Sequence, residues 1–113
     1  MLLRRPSPLA RGDLLVSALS AAEIAERLRP LSGWRHEGQA LARTWRFRDF
    51  REAMFFVNGV AVLAERAEHH PDVAVHYNEV TLSLWSHSAG GITERDFVLA
   101  REIDAFFPAP PAR

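Results

Sequence analysis

The stretch Asp49–Pro71 reads DFREAMFFVNGVAVLAERAEHHP, and its periodicity sets the architecture of the rest. Phe50, Ala53, Met54, Val57, Ala61 and Ala64 recur at three- and four-residue spacing, the signature of one helical face. Asp49 and Glu52 stand at capping-box spacing before them, and Pro71 cannot continue a helix, so the pattern predicts a helix over 50–69. The opposite side carries Phe55, Phe56, Val60 and Leu63. From Ala53 to Ala64 only Asn58 and Gly59 interrupt a surface that is apolar almost all round. A single sheet covers one face of a helix, so the other face is expected to pack on the same helix of a second copy, giving a homodimer or homotetramer through helix 50–69.

On the N-terminal side, Ser20 and Glu23 form a capping box ahead of Ile24 and Leu28, which predicts a short helix ending near Pro30. Gly33-Trp34 then opens a strand pair over about 34–37 and 40–48, in which Leu41, Trp45 and Phe47 share one parity and Arg43 interrupts the apolar side. Trp34, Trp45 and Phe47 are expected in the core. On the C-terminal side, Val73, Val75 and Tyr77 alternate, a turn is expected near Asn78-Glu79, and Val80, Leu82 and Leu84 carry the core side into a second strand. Gly90-Gly91 breaks the chain. Thr93 and Asp96 cap a last helix whose buried stripe is expected to be Leu99, Ile103 and Phe106. The expected fold is therefore α+β, a four-stranded antiparallel sheet with three helices packed on one face in the order α-β-β-α-β-β-α. Residues 1–18 read as a flexible N-terminal arm, 19–108 as a single domain, and 109–113 as a short proline-rich tail.

Composition narrows the function. The chain has 113 residues, of which 48% are hydrophobic and 25% charged, which suits one globular domain. Fourteen basic residues balance fourteen acidic ones. This neutrality leaves no bulk positive field for a phosphate backbone, so nucleic-acid binding is not expected. All the basic residues are arginine, which reads as an imprint of GC-rich coding. The absence of cysteine excludes disulfides, thiol nucleophiles, iron–sulfur clusters and cysteine-ligated zinc. No run approaches the roughly 18 apolar residues of a membrane span, and the N-terminus does not read as an export signal, so the expectation is a cytoplasmic protein without a membrane partner.

His69, His70, His76 and His87 fall within nineteen residues, with Glu65, Glu68, Asp72 and Asp96 around them. Imidazole exchanges protons near neutral pH, and neighbouring carboxylates can orient it, so the cluster is a candidate acid–base site. A structural reading is also open, because histidines at a helix C-terminus suit the helix dipole. Glu65 and His69, four apart, would share one side of helix 50–69, with His70 rotated by roughly 100°. Glu65 then either orients an imidazole or is a surface carboxylate paired locally. Asp96 either supports the His87 side of the site, caps its helix, or does both. His36 and His76 read as surface histidines.

Glu65, three residues, His69-His70-Pro71, five residues, Tyr77, nine residues, His87, eight residues, Asp96 is a fixed pattern. It resembles the signature of the pterin-4a-carbinolamine dehydratases. The resemblance runs through Gly33-Trp34, Phe47-Arg48-Asp49-Phe50, Val60-Ala61, Tyr77-Asn78, Val80 and Ile92-Thr93-Glu94-Arg95-Asp96, covering about residues 20–107. It implies dehydration of 4a-hydroxytetrahydropterin to quinonoid dihydropterin and water, in tetrahydropterin recycling, with no metal or organic cofactor. By the same resemblance His69 and His87 are the acid–base pair, His70 orients substrate, and Glu68, His69, His70, Trp85, Ser86, His87 and Ser88 form the pterin site, supported by Glu65 and Asp96. Two positions depart from the family pattern. Trp85 stands where a small residue is usual, and it narrows the pocket, stacks on the pterin or points away to an interface. Glu68 stands where aspartate is common.

Two other classes compete. A metal hydrolase would use Glu65, His69, His70, His76 and His87 as ligands, but no H-E-x-x-H or similar set is present. A non-catalytic protein-binding or dimerisation module of the same fold would use the apolar helix instead.

Overall fold

The computed structural model describes residues 17–108, so the expected arm lies outside the described residues except for its last two positions, as does the tail. Seven elements follow the expected order: α1 (Ala21–Leu28), β1 (Arg35–Glu37), β2 (Ala40–Arg46), α2 (Phe50–Ala67), β3 (Asp72–His76), β4 (Glu79–Leu84) and α3 (Glu94–Phe106), with a short 3-10 turn at His87–Ala89. The four strands form one antiparallel sheet in the order β1-β2-β4-β3.

Register fixes which side chains reach the helices. Leu41 lies opposite Leu84, and Trp45 lies opposite Val80. These join Ile24 of α1, Ala53, Phe56, Val60 and Leu63 of α2, and Phe97, Leu99, Ala100 and Ile103 of α3 in one buried cluster. Trp34, Trp45 and Phe47 are all buried, and Trp45 packs its ring on Phe56 at 4.7 Å. Arg43 sits on the inner side without breaking it. Its guanidinium lies 4.8 Å from the Trp45 ring and donates to Asp104 of α3 at 3.0 Å, and that same carboxylate accepts the Trp34 indole N–H. On the solvent side the Thr44 and Thr81 hydroxyls meet across β2 and β4 at 2.9 Å.

Both flanking helices begin as their sequences predict. Ser20 and Glu23 satisfy each other's backbone amides at α1, and Thr93 and Asp96 do so at α3. The box at α2 is only half formed. Asp49 accepts from the Glu52 amide at 2.9 Å, but Glu52 reaches one residue further back, to the Arg48 amide at 2.7 Å.

Four expectations are corrected. Helix α2 stops at Ala67, because Glu68 adopts a left-handed conformation (φ 53°) that turns the chain out of the helix. The Glu68 and His69 amides both donate back to the Ala64 carbonyl, the His69 bond being 3.1 Å, which satisfies the last turn as a Schellman cap does. The hairpin turn is Tyr77-Asn78, since His76 pairs with Glu79, and Tyr77 (φ 54°) lies in that turn, exposed to solvent. Val73 and Val75 do face inward, opposite Leu82 and Val80, but β3 is an edge strand and Val73 remains exposed. Phe106 is 59% exposed. Its neighbour Phe107, just past the helix, turns back instead and meets Phe56 edge-on at 5.4 Å, in space left open by Gly59, where a Cβ would fall 2.3 Å from the Phe107 ring.

Candidate functional site

The end of α2, the end of β4 and the start of α3 converge, and the histidines gather there. Asp96 is fully buried in the first turn of α3. One of its oxygens lies 2.5 Å from His69 Nε2. The other accepts the Thr93 amide at 2.9 Å and the Ser86 hydroxyl at 3.0 Å. Both oxygens of this buried carboxyl group thus have polar partners, as a buried acid requires. One hydrogen is shared between His69 Nε2 and its Asp96 oxygen, and Nδ1 is the ring's other nitrogen. Since Ser86 donates its single hydrogen to Asp96, the Thr93 hydroxyl, 2.7 Å away, must donate to Ser86.

His70 points elsewhere. Its Nε2 lies 2.7 Å from the Glu65 carboxylate, and both side chains are exposed. The expected sharing of one helix side by Glu65 and His69 is therefore corrected: Glu65 holds His70, and Asp96 holds His69. The reversal at Glu68 causes the exchange, because His69 is no longer on the helix and the spacing of four loses its meaning. Of the readings left open for Asp96, capping holds, and the imidazole it supports is that of His69.

His87 comes from the other side, at the 3-10 turn after β4. Its ring stacks on Trp85, with centroids 3.9 Å apart and planes inclined by 26°. The turn is fixed where Ser86 and Gly91 pair, the Ser86 amide donating to the Gly91 carbonyl at 2.9 Å. A cavity of about 350 Å³ opens between these pieces, lined by Glu68, His69, His70, Pro71, Asp72, Trp85 and His87. Ser86 lies behind it, its hydroxyl occupied by Asp96. Ser88 is exposed in the turn and is not among the lining residues. His36 and His76 are exposed.

Arg95 is the residue that sequence reasoning passed over. Its guanidinium donates to the Glu68 carbonyl at 2.9 Å, tying α3 to the reversal between α2 and β3. It lines a second, mostly apolar cavity of about 210 Å³ with Ala67, Val98 and Leu99, and His69 borders both cavities. Its place beside Asp96 in the first turn of α3 was the available signal. Among the described residues, no three His, Asp or Glu side chains are grouped so that they could hold a metal ion. Nor is any described helix long and apolar enough to cross a membrane.

The arrangement is that of a small α+β protein with a histidine-lined pocket, and comparison gives it a family. The sequence profile described as "Pterin 4 alpha carbinolamine dehydratase" matches residues 17–106. A protein of Thermomicrobium roseum provisionally named pterin-4-alpha-carbinolamine dehydratase is 54% identical over 88 residues, spanning 78% of this chain and 95% of that protein. A protein of the same provisional name from Sulfolobus acidocaldarius is 43% identical over 86 residues, or 76% of this chain and 94% of that one. The crystal structure of a transcriptional coactivator/pterin dehydratase from Brucella melitensis superposes with a TM-score of 0.75 at 37% identity, covering 79% of this chain and 97% of that chain. A pterin dehydratase-like protein identified as a RuBisCO assembly factor in the alpha-carboxysome shares the fold, with a TM-score of 0.58 at 22% identity over 69% of this chain and 93% of that chain. The chain belongs to the pterin-4a-carbinolamine dehydratase family.

Proposed function

We propose that the chain is an active dehydratase, a lyase that converts 4a-hydroxytetrahydropterin to quinonoid dihydropterin and water in tetrahydropterin recycling in the cytoplasm. The observation that carries this reading is the His69–Asp96 pair at the wall of a cavity that also holds His70 and His87. Hydroxide leaves poorly, so an imidazolium must protonate the 4a-hydroxyl as the carbon–oxygen bond breaks. N5 supplies the electron pair for the new C=N bond, and a second group accepts the ring proton released. Positioned acid–base help of this kind is worth about 10²–10⁴-fold.

His69 and His87 are the acid–base pair in this proposal, and His70, held by Glu65, orients the pterin. Glu68 and Trp85 complete the walls. Ser86 serves from behind through Asp96, and the reaction needs neither metal nor organic cofactor. The test is a stopped-flow dehydration assay on freshly generated 4a-hydroxytetrahydropterin with wild type, His69→Ala and His87→Ala. Acceleration by wild type that collapses in both variants is expected. Unchanged turnover in either variant overturns that histidine's role, and a folded wild type without acceleration overturns the dehydratase reading.

The outer face of α2 supports self-association. Phe55 and Val62, seven residues apart and so on one side of the helix, are both exposed there, Phe55 at 76%, an apolar pair that fits an interface better than a free surface. The proposed assembly is a homodimer or homotetramer through this helix. The same face is what a non-catalytic binding module of this fold would use, and a catalytically silent protein holding a stoichiometric partner would favour that alternative.

A further inference from the structure

The three histidines at the cavity are held in three different ways. His69 has Asp96, and His70 has Glu65. The His87 side chain has no hydrogen-bond or ion-pair partner among the described residues, although it lies on an exposed 3-10 turn where an imidazole would otherwise rotate freely. Its neighbour in space is the indole of Trp85, stacked at 3.9 Å with the planes 26° apart. Trp85 is itself half-buried, while the residues on either side, Leu84 and Ser86, are buried on the inner side. The backbone beneath the pair is pinned by the Ser86–Gly91 bridge.

We propose that Trp85 is the positioning residue for His87: its indole fixes the plane of the imidazole and covers one face, so that the cavity meets the ring at its other face and its nitrogen-bearing edge. The inference rests on the dehydratase reading for its kinetic consequence but on geometry alone for the stack. A carboxylate would orient an imidazole by occupying one of its nitrogens, as Asp96 does for His69. An aromatic face orients it while leaving both nitrogens free. His87 can therefore take up a proton at one nitrogen and release it at the other without breaking a hydrogen bond to the protein. The stack also means that the Trp85 face toward His87 is unavailable to a pterin ring, which makes Trp85 a wall of the pocket rather than a stacking platform on that side.

The experiment compares wild type with Trp85→Leu, which keeps apolar bulk, and Trp85→Phe, which keeps an aromatic face. Imidazole proton resonances of His87 are followed by NMR together with steady-state dehydration kinetics. The expected wild-type signature is an upfield ring-current displacement of the His87 protons that disappears in Trp85→Leu and is largely retained in Trp85→Phe. Loss of orientation is expected to lower kcat by about 10-fold in Trp85→Leu with KM changed far less, since a misplaced catalytic group can cost up to about 10²-fold, and Trp85→Phe is expected to recover most of that loss. His87 resonances that do not move on Trp85→Leu overturn the stack. A lost ring current with kcat unchanged overturns the positioning role. If wild type does not accelerate dehydration, the functional reading fails and takes the positioning role with it, while the resonances still decide the stack.

Discussion

His69 and Asp96 stand 27 residues apart in the chain, yet they meet at 2.5 Å around a carboxylate that has no exposure to solvent. The same carboxylate caps α3 through the Thr93 amide, so the helix start and the imidazole orientation share one group. Asp96→Asn keeps the shape but offers an amide where both oxygens of a carboxyl group have polar partners. We expect kcat to fall by about 10²-fold, inside the range of acid–base contributions, and stability to fall by roughly 1–3 kcal/mol as buried donors lose their partner. Urea unfolding and stopped-flow turnover measure the two. An Asn variant with wild-type turnover would remove Asp96 from the mechanism.

The Glu65–His70 pair lies in solvent, and exposed ion pairs contribute about 0–1 kcal/mol. Glu65→Gln is therefore expected to leave the unfolding midpoint nearly unchanged. If His70 orients substrate, KM should rise while kcat holds, and a fall in kcat with constant KM would contradict that division of labour.

Gly59 is the place where α2 admits Phe107. Alanine has the better helix propensity by about 1 kcal/mol, yet Gly59→Ala should destabilise by about 1–3 kcal/mol because the new methyl overlaps the ring. In a Phe107→Ala background the same substitution should become neutral or stabilising. A double-mutant cycle by thermal or chemical unfolding reads the coupling, and simple additivity would show that Phe107 does not occupy this space in solution.

At the start of α1, the Glu23 carboxylate accepts the Ser20 amide at 2.8 Å while the Glu23 amide donates to the Ser20 hydroxyl at 3.1 Å. The Ser20 backbone hydrogen bond, then its side chain, and more weakly the charge of Arg27, hold the Glu23 carboxyl below its usual value near 4.5 against a smaller opposing effect of burial. A carboxyl whose folded value is depressed stabilises above its unfolded value and loses that contribution as pH falls through the folded one. The α1 amides should thus lose hydrogen-exchange protection on acidification below about pH 4.5, and in Glu23→Gln this acid-dependent step should vanish. Persistence of the same step in the Gln variant would assign it to another group.

A charge placed on the outer face of α2 tests association directly. Phe55→Glu should shift the protein toward monomer in sedimentation equilibrium if that face is buried between copies, with little loss of fold because the position is exposed. Unchanged mass would move the interface elsewhere.

The sequence made the element types and their chain order readable because both rest on local periodicity, and two of the three caps were legible as residue pairs at fixed spacing, but the face α2 buries is Ala53, Phe56, Val60, Leu63 and Ala64 rather than the stripe through Phe50, Met54, Val57 and Ala61. What it hid were departures from regular backbone. Glu68 and Tyr77 take left-handed conformations that glycine or asparagine would have announced, so the end of α2 and the hairpin turn were each misplaced by one or two residues. Phe106 and Phe107 exchanged roles because the helix ends between them. At the site, all the lining histidines were found from clustering and pattern. Their partners were not, since Asp96–His69 and Trp85–His87 depend on how separate elements meet.

Glu68 carries a consequence larger than its own geometry. In a continued helix, two adjacent histidines would stand only roughly 100° apart around one axis. With the chain reversed at one residue, His69 is committed to the protein interior and His70 to the water outside, and the boundary of the cavity runs between two consecutive peptide units. The pair thereby samples two dielectric worlds from neighbouring positions. Changes in salt should be felt by one ring and packing changes by the other, giving a compact site two separate handles from a single dipeptide.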